Sequence, residues 1–263
     1  MTLRSVLLAL LLMTTSITAH AEASHFVERD VAVAGHHYRY QVFVPSGWTA
    51  KQKWPVVLFL HGSGERGNDN QKQLSQGLPP WLRDHGSDFP AVVVIPQAPD
   101  DTYWTGDSER MAIQALRDSM REFHGDTHRL YLTGLSLGGY GSWQIAAHYP
   151  GVFAAAAIIC GGIVPPSDEP DLVLVEGIPA HRDPYAWAAD RVGTLPVWIF
   201  HGSADDVVPP EGSRRMYAAL KKRDADVRFT EFPGVNHGSW VPAYALPELW
   251  PWMFSHRVAD PQL

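Results

Sequence analysis

Leu130-Tyr131-Leu132-Thr133-Gly134-Leu135-Ser136-Leu137-Gly138-Gly139 starts as an apolar strand and ends on a serine flanked by glycines. Residues 137–148 then read as a helix that stops before Pro150, since the residue preceding a proline is pushed out of the helical region. A strand that turns sharply into a helix strains the backbone of the residue at the bend. Side chains on either side of that residue would clash, which is why glycine is needed there. Such a turn lifts Ser136 above the sheet edge and sets its hydroxyl near a helix N-terminus, where negative charge is favoured. The pentapeptide 134–138 is a weak signal alone; its place between a strand and a helix gives it weight.

Working outward, further strands are read at 56–60, 92–95, 153–159, 197–200 and 227–232, most of them short and continuously apolar. Runs of this kind suit central parallel strands covered on both faces. Residues 26–34 and 37–44 alternate around Gly35-His36 and predict an antiparallel pair. Ile113, Leu116, Met120 and Phe123 form one helical stripe, predicting a helix from 107 or 108 to 124. A second helix is expected over 211–223, with acid first and base last, and a final one within 246–258, bent at Pro251. Alternating strands and helices predict an α/β fold, a mostly parallel sheet with helices on both faces. Ligands in such sheets bind beyond the carboxyl ends of the strands.

Three other strand ends carry reactive groups. His201-Gly202-Ser203-Ala204-Asp205-Asp206 follows 197–200, and Asn236-His237-Gly238 follows 227–232. A serine hydroxyl needs a base, and the base needs an acid to orient it. The order Ser136, then Asp205 or Asp206, then His237 supplies both; spacing alone does not choose between the two aspartates. His61-Gly62-Ser63-Gly64 follows the strand at 56–60. Its backbone would offer one N–H to an oxyanion, assigned to Ser63 with Gly64 close behind, and Leu137 would offer the other. His61 and His201 each precede glycine at a strand end and read as structural.

Composition bounds the rest. The chain has 263 residues, a net charge of −7 and one cysteine. A broad nucleic-acid surface would need a basic footprint, so no nucleic-acid partner is expected. Arg4, the apolar run from Val6 to Met13 and Ala19-His20-Ala21 read as a signal peptide over 1–21, cleaved after Ala21. The expected domain organisation is that leader followed by one catalytic domain over 22–263, exported to the periplasm or beyond. No membrane span is expected in the mature chain. Cys160, inside an apolar run, has no partner for an intrachain disulfide and reads as a buried, inert thiol. No HExxH, CxxC or phosphate-loop pattern occurs, and Asn68-Asp69-Asn70 lacks the register of a calcium loop. Neither metal nor cofactor is expected.

The segments Leu60 to Gly67, Pro96 to Pro99 with Trp104, Gly134 to Gly139, Phe200 to Pro209 and Asn236 to Trp240 together resemble secreted α/β-hydrolases of the carboxylesterase/phospholipase type. The resemblance lies near the poly(3-hydroxybutyrate)-depolymerase-like, feruloyl-esterase-like and "predicted peptidase" proteins. It implies an α/β-hydrolase fold and a serine esterase acting on a small-molecule or polymer-attached ester. It also implies Ser136 as nucleophile, Asp205 rather than Asp206 as acid, His237 as base, and the Ser63 and Leu137 amides as oxyanion donors. Trp104 and Trp240 are expected to border the substrate, with packing the alternative role for each. Residues 162–195, rich in Pro and Asp, are expected to form a small cap. Two rivals are a serine peptidase on the same fold, disfavoured by so short an insertion, and a silent binding protein that keeps the hydrolase frame, disfavoured by the complete reactive set.

Overall fold

The structure, a computed structural model, describes residues 22–166, 169 and 171–263. The expected signal peptide at 1–21 therefore lies outside the described residues. In chain order the strands are β1 (His25–Val33), β2 (His36–Val44), β3 (Trp54–Leu60), β4 (Val92–Pro96), β5 (Gly125–Leu135), β6 (Ala155–Ile159), β7 (Val197–Gly202) and β8 (Val227–Phe232). The α-helices are α1 (Leu78–His85), α2 (Gly106–Glu122), α3 (Leu137–His148), α4 (Pro184–Val192), α5 (Glu211–Lys221), α6 (Trp240–Tyr244) and α7 (Leu249–Ser255).

All eight strands join one sheet in the order β1-β2-β4-β3-β5-β6-β7-β8. The β1–β2 and β2–β4 pairs are antiparallel, and every pair from β4 to β8 is parallel. The apolar runs are continuous because the sheet has two dry faces and side chains alternate between them. Val56, Leu58 and Leu60 of β3 join one core with residues of α2, α3, α4 and α5. Val57 and Phe59 join the other, with residues of α1, α6 and α7. Each such side chain moved out of water contributes about 1.5–3 kcal/mol.

Some boundaries differ from the sequence reading. The final helix, Leu249–Ser255, falls within the expected 246–258, but Pro251 sits in its first turn, where the missing N–H has no intrahelical partner to lose. Three helices were not anticipated: α1, which opens on Leu78-Pro79-Pro80, α4 and the short α6. The second half of the expected cap is therefore an ordinary layer helix. Asp183 caps α4 by accepting from the Ala186 N–H at 2.8 Å, Pro184 starts it, and Gly193 ends it at φ 64°. Among the described residues of the insertion, Pro166, Glu169, Leu172 and Leu174 border the cleft described below. Among the described residues, no helix is long and apolar enough to cross a membrane.

Candidate active site

Ser136 stands between β5 and α3 at φ 54°, ψ −119°, a conformation that non-glycine residues rarely adopt. The flanking glycines are required by close approach. A Cβ on Gly138 would lie 2.0 Å from the Leu60 carbonyl oxygen, and one on Gly134 would lie 2.3 Å from the Gly138 carbonyl oxygen. The N-terminus of α3 is thus pressed onto the end of β3. The Ser136 N–H donates to the Ile159 carbonyl at 3.0 Å, tying the turn to β6.

The structure brings the three sequence-nominated side chains together. The Ser136 hydroxyl lies 2.9 Å from His237 Nε2, and His237 Nδ1 lies 2.8 Å from Asp205 Oδ2. With the proton on Nδ1, the imidazole donates to the carboxylate and its free Nε2 accepts from the serine. Asp205 is 6% exposed, whereas Asp206 is exposed to solvent. The other oxygen of Asp205 accepts from the N–H groups of Val207 and Val208, at 3.0 and 2.9 Å. Burial pushes the Asp205 carboxyl upward, but hydrogen bonds from His201, His237 and the Val208 N–H outweigh it and hold the group well below the usual carboxylate range. It therefore stays ionised across the pH range in which an imidazole changes charge.

His201 does more than its sequence context implied. Fully buried, it places Nε2 2.8 Å from the Val208 carbonyl and 3.2 Å from the same Asp205 oxygen that meets His237. Its Nδ1 meets the Ser213 hydroxyl at 2.7 Å. The acid is thus gripped from both sides. The only local signal for this is the four-residue spacing from His201 to Asp205.

On the opposite wall, Ser63 begins a short 3-10 helix after Gly62 (Ser63–Glu65), and Leu137 is the first residue of α3. The N–H of a first helical residue has no acceptor within its own helix. Both residues line, with Ser136, a cavity of about 280 Å³. The loop holding Ser63 is fixed from below. His61, 1% exposed, donates Nδ1–H to the Gly62 carbonyl at 2.6 Å and accepts from the Ala98 N–H at Nε2, at 3.0 Å. The buried Glu65 carboxylate accepts from the Gly62 N–H. Arg66 donates to the carbonyls of Ser63 and Thr102. Neither charged residue stood out within its glycine-rich stretch.

Trp104 does not meet the expectation of a substrate contact. It is 1% exposed, its Nε1–H donates to the His61 carbonyl at 3.0 Å, and its ring meets the His61 ring edge-on. A Cβ on Gly141 would lie 2.4 Å from its own Cβ. It is a brace beneath the loop, buried because the loop and α3 close over it. Trp240 is half-buried and packs edge-on against His237, with ring centroids 5.5 Å apart. Cys160 is fully buried, and burial pushes its thiol up to about 12. Its sulfur and ligand atoms of Asp205 and His237 lie within 4.8 Å of one another. To hold an ion, this set would have to ionise that thiol and free His237 from one of its two hydrogen bonds.

The buried His61 gives the site an acid limit. Burial pushes the imidazole down to about 4 from its ordinary 6.5. The unfolded chain therefore takes up this proton first, and stability falls as pH falls. The contribution is complete above pH 6.5 and is lost on descending toward pH 4, for a total of about 3 kcal/mol. Urea unfolding midpoints measured across that window should decline, and a His61→Gln variant should decline less steeply. Equal slopes would remove His61 from the account.

The family model described as "Esterase: Putative esterase" matches residues 32–243. The chain belongs to this esterase family. Among curated relatives, an uncharacterized secreted protein of Arthroderma benhamiae is 28% identical, covering 70% of this chain and 21% of its own length. Poly(3-hydroxyalkanoate) depolymerase C of Paucimonas lemoignei is 30% identical over 73% of this chain and 48% of its own length. The chain thus spans half or less of both. A thermostable esterase of known structure is 31% identical, with a TM-score of 0.71, covering 88% of this chain and 63% of that one. The esterase-family match runs from β1 to α6 and so takes in every residue of the cluster described above.

Proposed function

We propose that this esterase-family chain is a serine hydrolase of carboxylic esters, with Ser136 as nucleophile, His237 as base and Asp205 as acid. The observation that carries the reading is the continuous chain of hydrogen bonds from the Ser136 hydroxyl through His237 to a buried carboxylate, at 2.9 and 2.8 Å. His237 Nε2 takes the serine proton as the oxygen attacks the ester carbonyl. Asp205 fixes the Nδ1–H tautomer and stabilises the imidazolium. The N–H groups of Ser63 and Leu137 receive the oxyanion. The tetrahedral adduct collapses, His237 gives its proton to the departing alkoxide, and the alcohol leaves an acyl-serine. Water, deprotonated by the same imidazole, releases the acid and restores the hydroxyl.

The acyl group would lie among Leu172, Leu174, Val207 and Val208, which line the same cavity as Ser136. Trp240 would hold the imidazole from its edge. Residues 22–263 would form one catalytic domain, exported after removal of 1–21. The leader pattern and the secreted relative support that placement.

A fluorophosphonate should label the protein stoichiometrically, with the adduct on the peptide carrying Ser136. Parallel assays on short-chain aryl esters, feruloyl esters and aminoacyl amides should favour the esters. Labelling elsewhere, or none, would remove the serine mechanism. Preference for the amides would turn the reading into a peptidase.

A further inference from the structure

The insertion between β6 and α4 reaches the Ser136 cleft through Leu172 and Leu174. Just beyond them it is tied to the body of the protein. Among the described residues, every hydrogen bond of 173–178 is made by Glu176. Its N–H donates to the Gln144 side-chain oxygen at 2.7 Å. Its carboxylate accepts from the Gln144 amide at 3.3 Å and from the Gly106 N–H at 3.4 Å. His148 Nε2 faces its carbonyl at 3.3 Å. Behind this contact, Glu109 accepts from the Gln144 amide and meets His148 Nδ1, each at 2.9 Å. Gln144 is fully buried and Glu109 is 5% exposed. None of these side chains takes part in the mechanism above.

We propose that Gln144 is a positioning residue for acyl specificity. Through Glu176 it fixes the strap 172–176, so that Leu172 and Leu174 stand as a set wall at a constant distance from Ser136. The inference rests on the esterase reading and adds a determinant of which acyl groups are favoured. Two observations carry it. First, the anchor and the nucleophile share one rigid element. Ser136 stands at the N-terminus of α3, and Gln144 and His148 follow about two and three turns later. Second, no other directional contact holds the strap. Val175 is buried in the core, but apolar contact is non-directional and permits sliding. Paired hydrogen bonds to a buried amide fix a register. Satisfying Glu109 takes only His148 and one Gln144 proton; the oxygen and the second proton of that amide both go to Glu176. A wall set in advance spares the acyl chain the cost of ordering it, so each methylene laid against it keeps its binding gain.

The test compares p-nitrophenyl acetate with p-nitrophenyl hexanoate on the full chain. Each methylene moved out of water corresponds to about fourfold in binding, so the wild-type hexanoate-to-acetate ratio of kcat/KM should be at least about tenfold. Gln144→Met should lower that ratio by roughly fivefold or more, through a higher KM for hexanoate, while kcat on acetate stays within about twofold. Leu174→Ala should lower the ratio in the same way, and adding Gln144→Met to it should lower it little further, because both changes act on one wall. Should Gln144→Met fail to fold, as judged by circular dichroism, the half-buried positions carry the test. His148→Gln and Glu176→Ala should each move the ratio in the same direction by at least about twofold. A wild-type ratio near one, a ratio unmoved in every folded variant, or full additivity with Leu174→Ala would overturn the proposal. If acetate is turned over and Ser136 is labelled, any of these results defeats this inference alone. Failure to hydrolyse either ester, together with failure to label Ser136, would defeat the esterase reading and this one with it.

Discussion

Ser136→Ala should lower kcat on a short-chain aryl ester by roughly 10⁵- to 10⁶-fold, equivalent to about 7–8 kcal/mol of transition-state stabilisation. The substitution removes one oxygen and little else. Alanine can be held at φ 54° by the same surroundings that hold serine, because Gly134 and Gly138 and the hydrogen bond to Ile159 fix the turn independently of the side chain. The side chain of His237 is 19% exposed, so water can replace the lost hydroxyl partner at Nε2. Circular dichroism and the thermal midpoint should therefore change little while turnover nearly vanishes. Wild-type turnover in the variant would show that the chemistry uses another group.

Asp205→Asn should cost about 10⁴-fold in kcat, while Asp206→Asn should stay within roughly twofold. The surroundings of Asp205 explain why an isosteric amide would fail. One oxygen faces two N–H donors, those of Val207 and Val208, so the amide oxygen must take that position. The NH₂ group then faces His237 Nδ1 and His201 Nε2. A donor opposite Nδ1 makes that nitrogen an acceptor and shifts the ring proton to Nε2, where it blocks uptake of the serine proton. Asp206 is exposed and has no comparable surroundings. Steady-state kinetics on both variants decide the matter. Near-normal activity in Asp205→Asn would mean that His237 is oriented by something else.

Much of this was legible in the sequence because the signals were local. Helix α3 and strand β8 match their expected limits, α3 because the glycine-flanked serine turn opens it and Pro150 closes it. The antiparallel β1–β2 pair followed from alternation around Gly35. Helix α4 also carried a local signal, Asp183-Pro184 at its start and Gly193 at its end, which was obscured by reading the whole insertion as a cap. Strand β5 extends to Gly125 because Trp54 of β3 offers it a partner there, a fact about pairing rather than about residues 125–129 themselves. Trp104 misled for a related reason. Tryptophan suits both a cleft wall and a core, and its burial depends on where α3 and the loop at His61 come to rest.

By itself, the sequence determined the alternation of strands and helices, the strained serine turn and the chain order of the reactive residues, because each depends on neighbours within a few positions. Only the tertiary structure decided that Asp205 is enclosed while Asp206 faces water, that His201 grips the acid, and that Trp104 is a brace. These are contacts between residues far apart along the chain. They exist only once the parallel sheet has aligned its strand ends, which puts β3, β4, β5, β7 and β8 on one edge and leaves their loops to meet above it.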